Sequence, residues 1–253
     1  MQTFDSDGVE IAFLDEGEGE PINFICLWID SAGGSAAESI ALINYLSDDV
    51  DRAEVHVAAY IPNMARADAA MVAMSSDSIS IGPRASLGGD GEAVLLRNDV
   101  SDLVSRAKAL AKARGTHWSL WAAMVDRSLE VREYTREGTG QIAYFCEEEL
   151  NQQRDSDQWQ PGIVISDAGT LLMVSGERAL ELGLADNVTN DFRQFQNQFD
   201  LPEPPQVIKR NWAHAFIEKL RGNCFLPFML VMIGTSALMT ELSQPGVGLP
   251  GFI

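Results

Sequence analysis

The chain has 253 residues, 46% of them hydrophobic and 22% charged, enough to bury one sizeable core. Its 37 acidic side chains against 18 basic ones give a formal net charge of -19, a surface that repels phosphate backbones and excludes nucleic acid as a partner. Cys26, Cys146 and Cys224 show no CxxC spacing, and His56, His117 and His214 share no ligand-like spacing, so no metal site and no cofactor are expected.

In chain order, Met1 to Glu20 is acidic and lacks the apolar core of a secretory signal. It reads as two short strands with turns at Asp7-Gly8 and around Gly17 to Pro21. A continuous apolar strand over 22–29 includes Cys26 as a buried free thiol and runs into Asp30-Ser-Ala-Gly-Gly-Ser35. A helix is expected over 36–46, with Ile40, Ile43 and Leu46 on one stripe, then a strand over 54–60. Asp68 to Ser76 reads as an Ala-rich helix, and Ser78 to Gly82 as the next strand. Strand, helix, strand, helix with short connections predicts an α/β layer structure with largely parallel pairing.

Two helices follow, over 100–113 and 116–127, broken at Gly115. Strands are expected within 141–145 and 162–174, and Ser175 caps a short helix that Gly183 ends. Leu-Pro-Glu-Pro-Pro over 201–205 is a linker, followed by an amphipathic helix over 212–220. From Gly222 to Thr240 no charged residue occurs, and 225–233 is strongly apolar. Such a run is about the length a bilayer-spanning helix needs; a buried C-terminal helix is the alternative.

Among local motifs, the strand ending in IDSAGGS stands out, because Gly33 and Gly34 let backbone N–H groups turn toward an anion at a helix N-terminus. A Gly-rich tight turn before an ordinary helix explains the same residues. GxxxxGK[ST] and GxSxG are both absent, which removes a P-loop and an α/β-hydrolase elbow.

The ordered series of motifs carries more. IDSAGGS and its helix, then IPNMARADAAMVAMSSDSI, then Ala85-Ser-Leu-Gly88 resemble the ClpP/crotonase superfamily, and within it the membrane-bound serine proteases of the NfeD and signal-peptide-peptidase A kind. Downstream, KARGTHWSLWAAMVDRS is similar to the helix that carries the family's catalytic lysine. GTLLMVSGERALELGLADNV and the Glu241 to Gly246 segment also resemble family sequences.

The resemblance implies an α/β fold built as a ClpP/crotonase-like spiral of β-β-α units, followed by a C-terminal transmembrane helix. It implies four parts: an atypical N-terminal segment (1–22), the ClpP/crotonase-like domain (23–200), a linker with an amphipathic helix (201–221) and a membrane segment (222–253). The localisation it implies is a membrane, through that single C-terminal span. Lys209, Arg210, Lys219 and Arg221 precede the span and leave the side of the globular domain open. The implied partners are a peptide or a membrane protein of the stomatin-like kind, and a homo-oligomer.

Carried over position by position, the nucleophilic serine falls on Ala67 and the general-base lysine on Ala123. A Ser–Lys dyad needs a hydroxyl to attack and an amine to take its proton, and alanine supplies neither. The glycine of the nucleophile motif is Ala69, and Asp68 sets a carboxyl group beside the site, the wrong sign for a developing oxyanion. Gly33, Gly34 and Ser35 remain as the implied oxyanion and peptide-binding segment. The expectation is a pseudoprotease that binds a peptide or partner in membrane protein quality control. The alternative is an active serine endopeptidase with another nucleophile, drawn from Ser35, Ser75, Ser76 and Ser119.

Overall fold

The computed structural model describes residues 9–13, 23–92, 94–201, 206–207, 232 and 235. The chain divides into two compact units, Met1–Ile208 and Lys209–Ile253, and the account below concerns the first.

At its centre lies a six-stranded sheet. The parallel strands are β2 (Phe24–Ile29), β3 (His56–Ile61), β5 (Ser78–Ile81) and β11 (Asn187–Val188). β1 (Val9–Phe13) lies antiparallel on β2, and β12 (Gln206–Val207) antiparallel on β1. Because side chains alternate along a strand, β2 and β3 each serve two apolar faces. Ile25, Leu27, Ile29, Val57, Ala59 and Ile61 point into the main core. Phe24, Cys26, Ala58 and Tyr60 point the other way, against Phe195 of helix α7 (Phe192–Gln198).

On the main-core side pack α1 (Ala36–Asn44), which runs on into a π-helical turn over Tyr45–Asp49, and α2 (Asp68–Met74), whose seven residues are all buried. A second, three-stranded sheet holds β4 (Met64–Ala65), β6 (Ser86–Gly88) and β10 (Met173–Ser175) in the order β10-β6-β4. Long strand, short strand and helix thus follow one another as β3, β4, α2 and again as β5, β6, α3 (Arg97–Arg114). Each short strand belongs to the small sheet, which sets the following turn at the ends of the long strands.

The third sheet is antiparallel: β7 (Val131–Arg136) lies between β8 (Ile142–Phe145) and β9 (Trp159–Ser166). Two short helices, α4 (Ser119–Ala123) and α5 (Glu147–Gln152), pack near it, and α6 (Gly176–Glu181) follows β10. α3 ends at Gly115 in the left-handed conformation, φ 66°, where the sequence places the break. Ser175 caps α6 by accepting from the Arg178 amide. The helix expected over 116–127 is shorter, because turns take over after Ala123.

The C-terminal transmembrane helix is corrected. Among the described residues no helix is long and apolar enough to cross a membrane. Of the apolar run over 222–240, only Met232 and Thr235 are described; the rest, like the amphipathic helix over 212–220, lies outside the described residues. An uncharged stretch of that length matches a span by count alone, and its Pro227, Gly234 and Ser236 fit other backbones equally well. The membrane localisation rested on that helix and is corrected to the same statement: no described helix forms a span.

Candidate functional site

The site forms where the loop after β2 meets the turn between β4 and α2. Ser31 donates its amide to the Met64 carbonyl at 3.0 Å and accepts from the Arg66 amide at 3.0 Å, which ties the two segments side by side. Beyond it the chain passes so close to the β4–α2 turn that only glycine fits. A Cβ on Gly33, at φ 89°, would lie 2.9 Å from Asp68 Oδ1 and 3.1 Å from the Ala67 methyl. Gly33 of IDSAGGS therefore answers to a close approach, not to flexibility.

Ala67 stands between β4 and α2 with φ 47° and ψ -123°. Positive φ is uncommon for a residue with a Cβ and costs on the order of 1–3 kcal/mol unless the surroundings impose it. A strained strand-to-helix turn of this kind is how α/β-hydrolases lift a nucleophile above its sheet. Here the tip of the turn carries only a methyl group, 2% exposed.

The next residue fills the space where an anion would be held. Asp68 is 1% exposed. Its Oδ1 accepts from the Gly34 amide at 3.0 Å and its Oδ2 from the Ser39 hydroxyl at 2.7 Å. The Gly34 amide and the Ser39 hydroxyl make an anion-accepting corner, and the chain's own carboxyl group occupies it. Helix α2 is held at its other end by Arg52 and Arg114, which donate to the carbonyls of Met74 and Ser75.

The sequence-derived residues divide accordingly. Gly33, Gly34, Ala67 and Asp68 come together. Ala69 is buried one residue into α2, its amide on the Arg66 carbonyl. Ala123 ends α4 and is fully buried, its carbonyl accepting from Leu172 at 2.8 Å. The side chain of the next residue, Met124, lies against Gly88 of β6. Ser35 is exposed and makes no side-chain cap to α1.

The other serines are committed or buried. Ser75 donates to the Val72 carbonyl, and Ser76 is 1% exposed. Ser119 donates to Glu149 and accepts from the Cys146 amide. Glu149 is 3% exposed, accepts from the amides of Trp118 and Ser119 as well, and lies 3.2 Å from His117 Nδ1. This group anchors the start of α4, and serine, carboxyl and histidine are in the wrong order for a triad: the acid separates hydroxyl from imidazole.

A groove of about 850 Å³ opens beside the turn, lined among others by Ala67, Gly91, Val104, Lys108, Trp118 and Leu129. Lys108 is paired with Glu148 at 2.6 Å and lies 4.4 Å over the Trp118 ring. Sequence reasoning missed three features here: Ser39, Glu149 and the glycine-rich segment after β6. The run Leu87-Gly-Gly-Asp-Gly91 was the available signal for the last.

No protein-family model and no curated protein matches this chain. Among solved structures this chain is similar to a membrane-bound stomatin-specific protease, 1510-N, in a serine-to-alanine mutant. That likeness has a TM-score of 0.43 and 14% identity over 70% of this chain and 69% of the other. A lysine-to-alanine mutant of that protease in complex with a substrate peptide gives a TM-score of 0.46 and 12% identity over 79% and 84% of the two chains.

Proposed function

We propose that this chain is a pseudoprotease of the ClpP-related NfeD type, which holds an extended peptide segment of a partner without cutting it. One observation carries the reading: Ala67 keeps the strained backbone of a nucleophile turn, φ 47° and ψ -123°, while its side chain cannot attack. The Asp68 carboxyl in the neighbouring corner supports the same conclusion, since a group already accepting from Gly34 competes with any substrate oxyanion. The groove beside Ala67 supports a binding role, and the motif series suggests stomatin-like proteins as the partner class.

The test is peptide and casein cleavage by the unaltered chain beside an Ala67→Ser/Asp68→Ala/Ala123→Lys variant. Silence from the chain and turnover by the variant support a pseudoenzyme. Turnover by the unaltered chain, lost on mutating one particular serine, would replace this reading with the active endopeptidase.

A further inference from the structure

The segment after β6 lies across the turn that carries Ala67. Gly88 and Gly89, at φ 79° and 84°, bring it round, and the Ala67 amide donates to the Gly89 carbonyl at 3.3 Å. The Glu92 amide then donates to the Ala32 carbonyl at 2.9 Å. Between these points Gly91 is pressed onto the site: a Cβ there would lie 2.7 Å from the Ala32 oxygen and 2.8 Å from the Ala67 methyl. The Ala32 carbonyl and the tip of the turn are thus covered by main chain from within. These are single main-chain bonds to two segments, and each uses a backbone group that an added peptide strand could also engage.

We infer that residues 89–92 are a displaceable strap, which occupies the place of a bound peptide strand and opens to admit one. The inference rests on the peptide-binding reading above and adds its regulation. Gly88 at the strap's root stays paired with Met173 in the small sheet. Beyond it, outside the two backbone bonds, residues 89–92 are fastened by an ion pair between Asp90 and Arg127. Their side chains are 71% and 59% exposed, so the fastening is accessible and can be removed without touching the core. Two successive glycines at positive φ supply the hinge, because they cross backbone regions that other residues avoid. The strap and an incoming strand compete for one carbonyl, so the apparent affinity for peptide is the intrinsic affinity scaled by the open fraction.

The experiment pairs amide hydrogen exchange with binding of fluorescein-labelled β-casein, an unfolded polypeptide, on the full chain. Arg127→Ala removes an exposed ion pair, so exchange at Glu92 is expected to rise about two- to fivefold. Gly91→Val, which drives a side chain into Ala32 and Ala67, is expected to raise it more than about tenfold. Casein binding should tighten by the same factor in each variant. Unchanged exchange at Glu92 in both variants would overturn the strap. Faster exchange with casein binding fixed at its wild-type strength would show an opening that gates nothing and would overturn it too. Absence of casein binding in every form, with exchange raised, would sink the peptide-binding reading and the gate with it. Arg127→Ala keeps the test decisive if Gly91→Val does not fold.

Discussion

The carboxyl group of Asp68 accepts the amide of Gly34, 34 positions earlier in the chain, at 3.0 Å. Together with the Ser39 hydroxyl on its other oxygen, this bond fixes the glycine loop to the start of α2 in a site 1% exposed. Replacing Asp68 by alanine leaves the buried Ser39 hydroxyl and the part-buried Gly34 amide without their acceptor, and a buried unsatisfied polar group costs about 1–3 kcal/mol. Asp68→Ala is therefore expected to lose about 2–3 kcal/mol in urea unfolding, and Ser39→Ala about 1 kcal/mol. The pair of losses should not add in the double variant, because both act on one group. Additive losses would mean that the two contacts are independent.

Ala67 supplies a second prediction, of unusual sign. Alanine to glycine inside a buried helix costs about 1 kcal/mol through chain entropy. Ala70, fully buried within α2, is expected to behave so. At Ala67 the positive φ is relieved by the same substitution, which offsets the entropy. Ala67→Gly should unfold within about 0.5 kcal/mol of the parent or be more stable, while Ala70→Gly is clearly destabilised. Equal losses at both positions would mean that the turn is not strained.

These two residues also mark how far the sequence can be read. The strand, glycine loop and helix around IDSAGGS follow from apolar runs and turn residues, and the structure has β2 and α1 there. The alanine at the turn was readable by its place in the motif series, but its backbone strain was not, since no periodicity encodes a dihedral angle. Asp68 was read as a charge beside the site. Its bond to Gly34 depends on a tertiary approach that spacing cannot give. β7 went unread because Val131-Arg-Glu-Tyr-Thr-Arg136 has few apolar residues and is a strand through pairing on both sides. The short helices α5 and α7 offered too few turns for a period to show.

Glu149 gives a third prediction. Its buried carboxyl group accepts from two amides and the Ser119 hydroxyl at the start of α4, a helix of five residues that cannot stand on its own propensity. Glu149→Ala is expected to lose about 2–4 kcal/mol, more than a surface cap, because three donors lose their acceptor. The protection of the Leu172 amide, which reaches the Ala123 carbonyl, should fall with it. Glu149→Gln keeps two acceptor positions and should lose less. A loss below about 0.5 kcal/mol for Glu149→Ala would show that α4 is held by packing alone.

Cys26 faces Phe24, Ala58, Tyr60 and Phe195 and is 1% exposed. Burial pushes its thiol from 9.0 up to about 12, since the thiolate would lose its hydration there. In the unfolded chain the thiol ionises near its ordinary value. Between pH 9.0 and about 12 the folded form thus keeps a proton that the unfolded form has released. Stability from this group is complete below pH 9 and declines as pH rises through that window. Tyr60, Tyr134 and Tyr144, all raised by burial, act in the same direction, so the contribution of Cys26 must be isolated by difference. Cys26→Ala should flatten the alkaline limb of a stability–pH profile relative to the parent. Iodoacetamide at pH 8.5 should modify Cys26 only at the rate of unfolding. Rapid labelling of the folded chain, or parallel alkaline limbs in the two proteins, would refute the burial of this thiol as the cause.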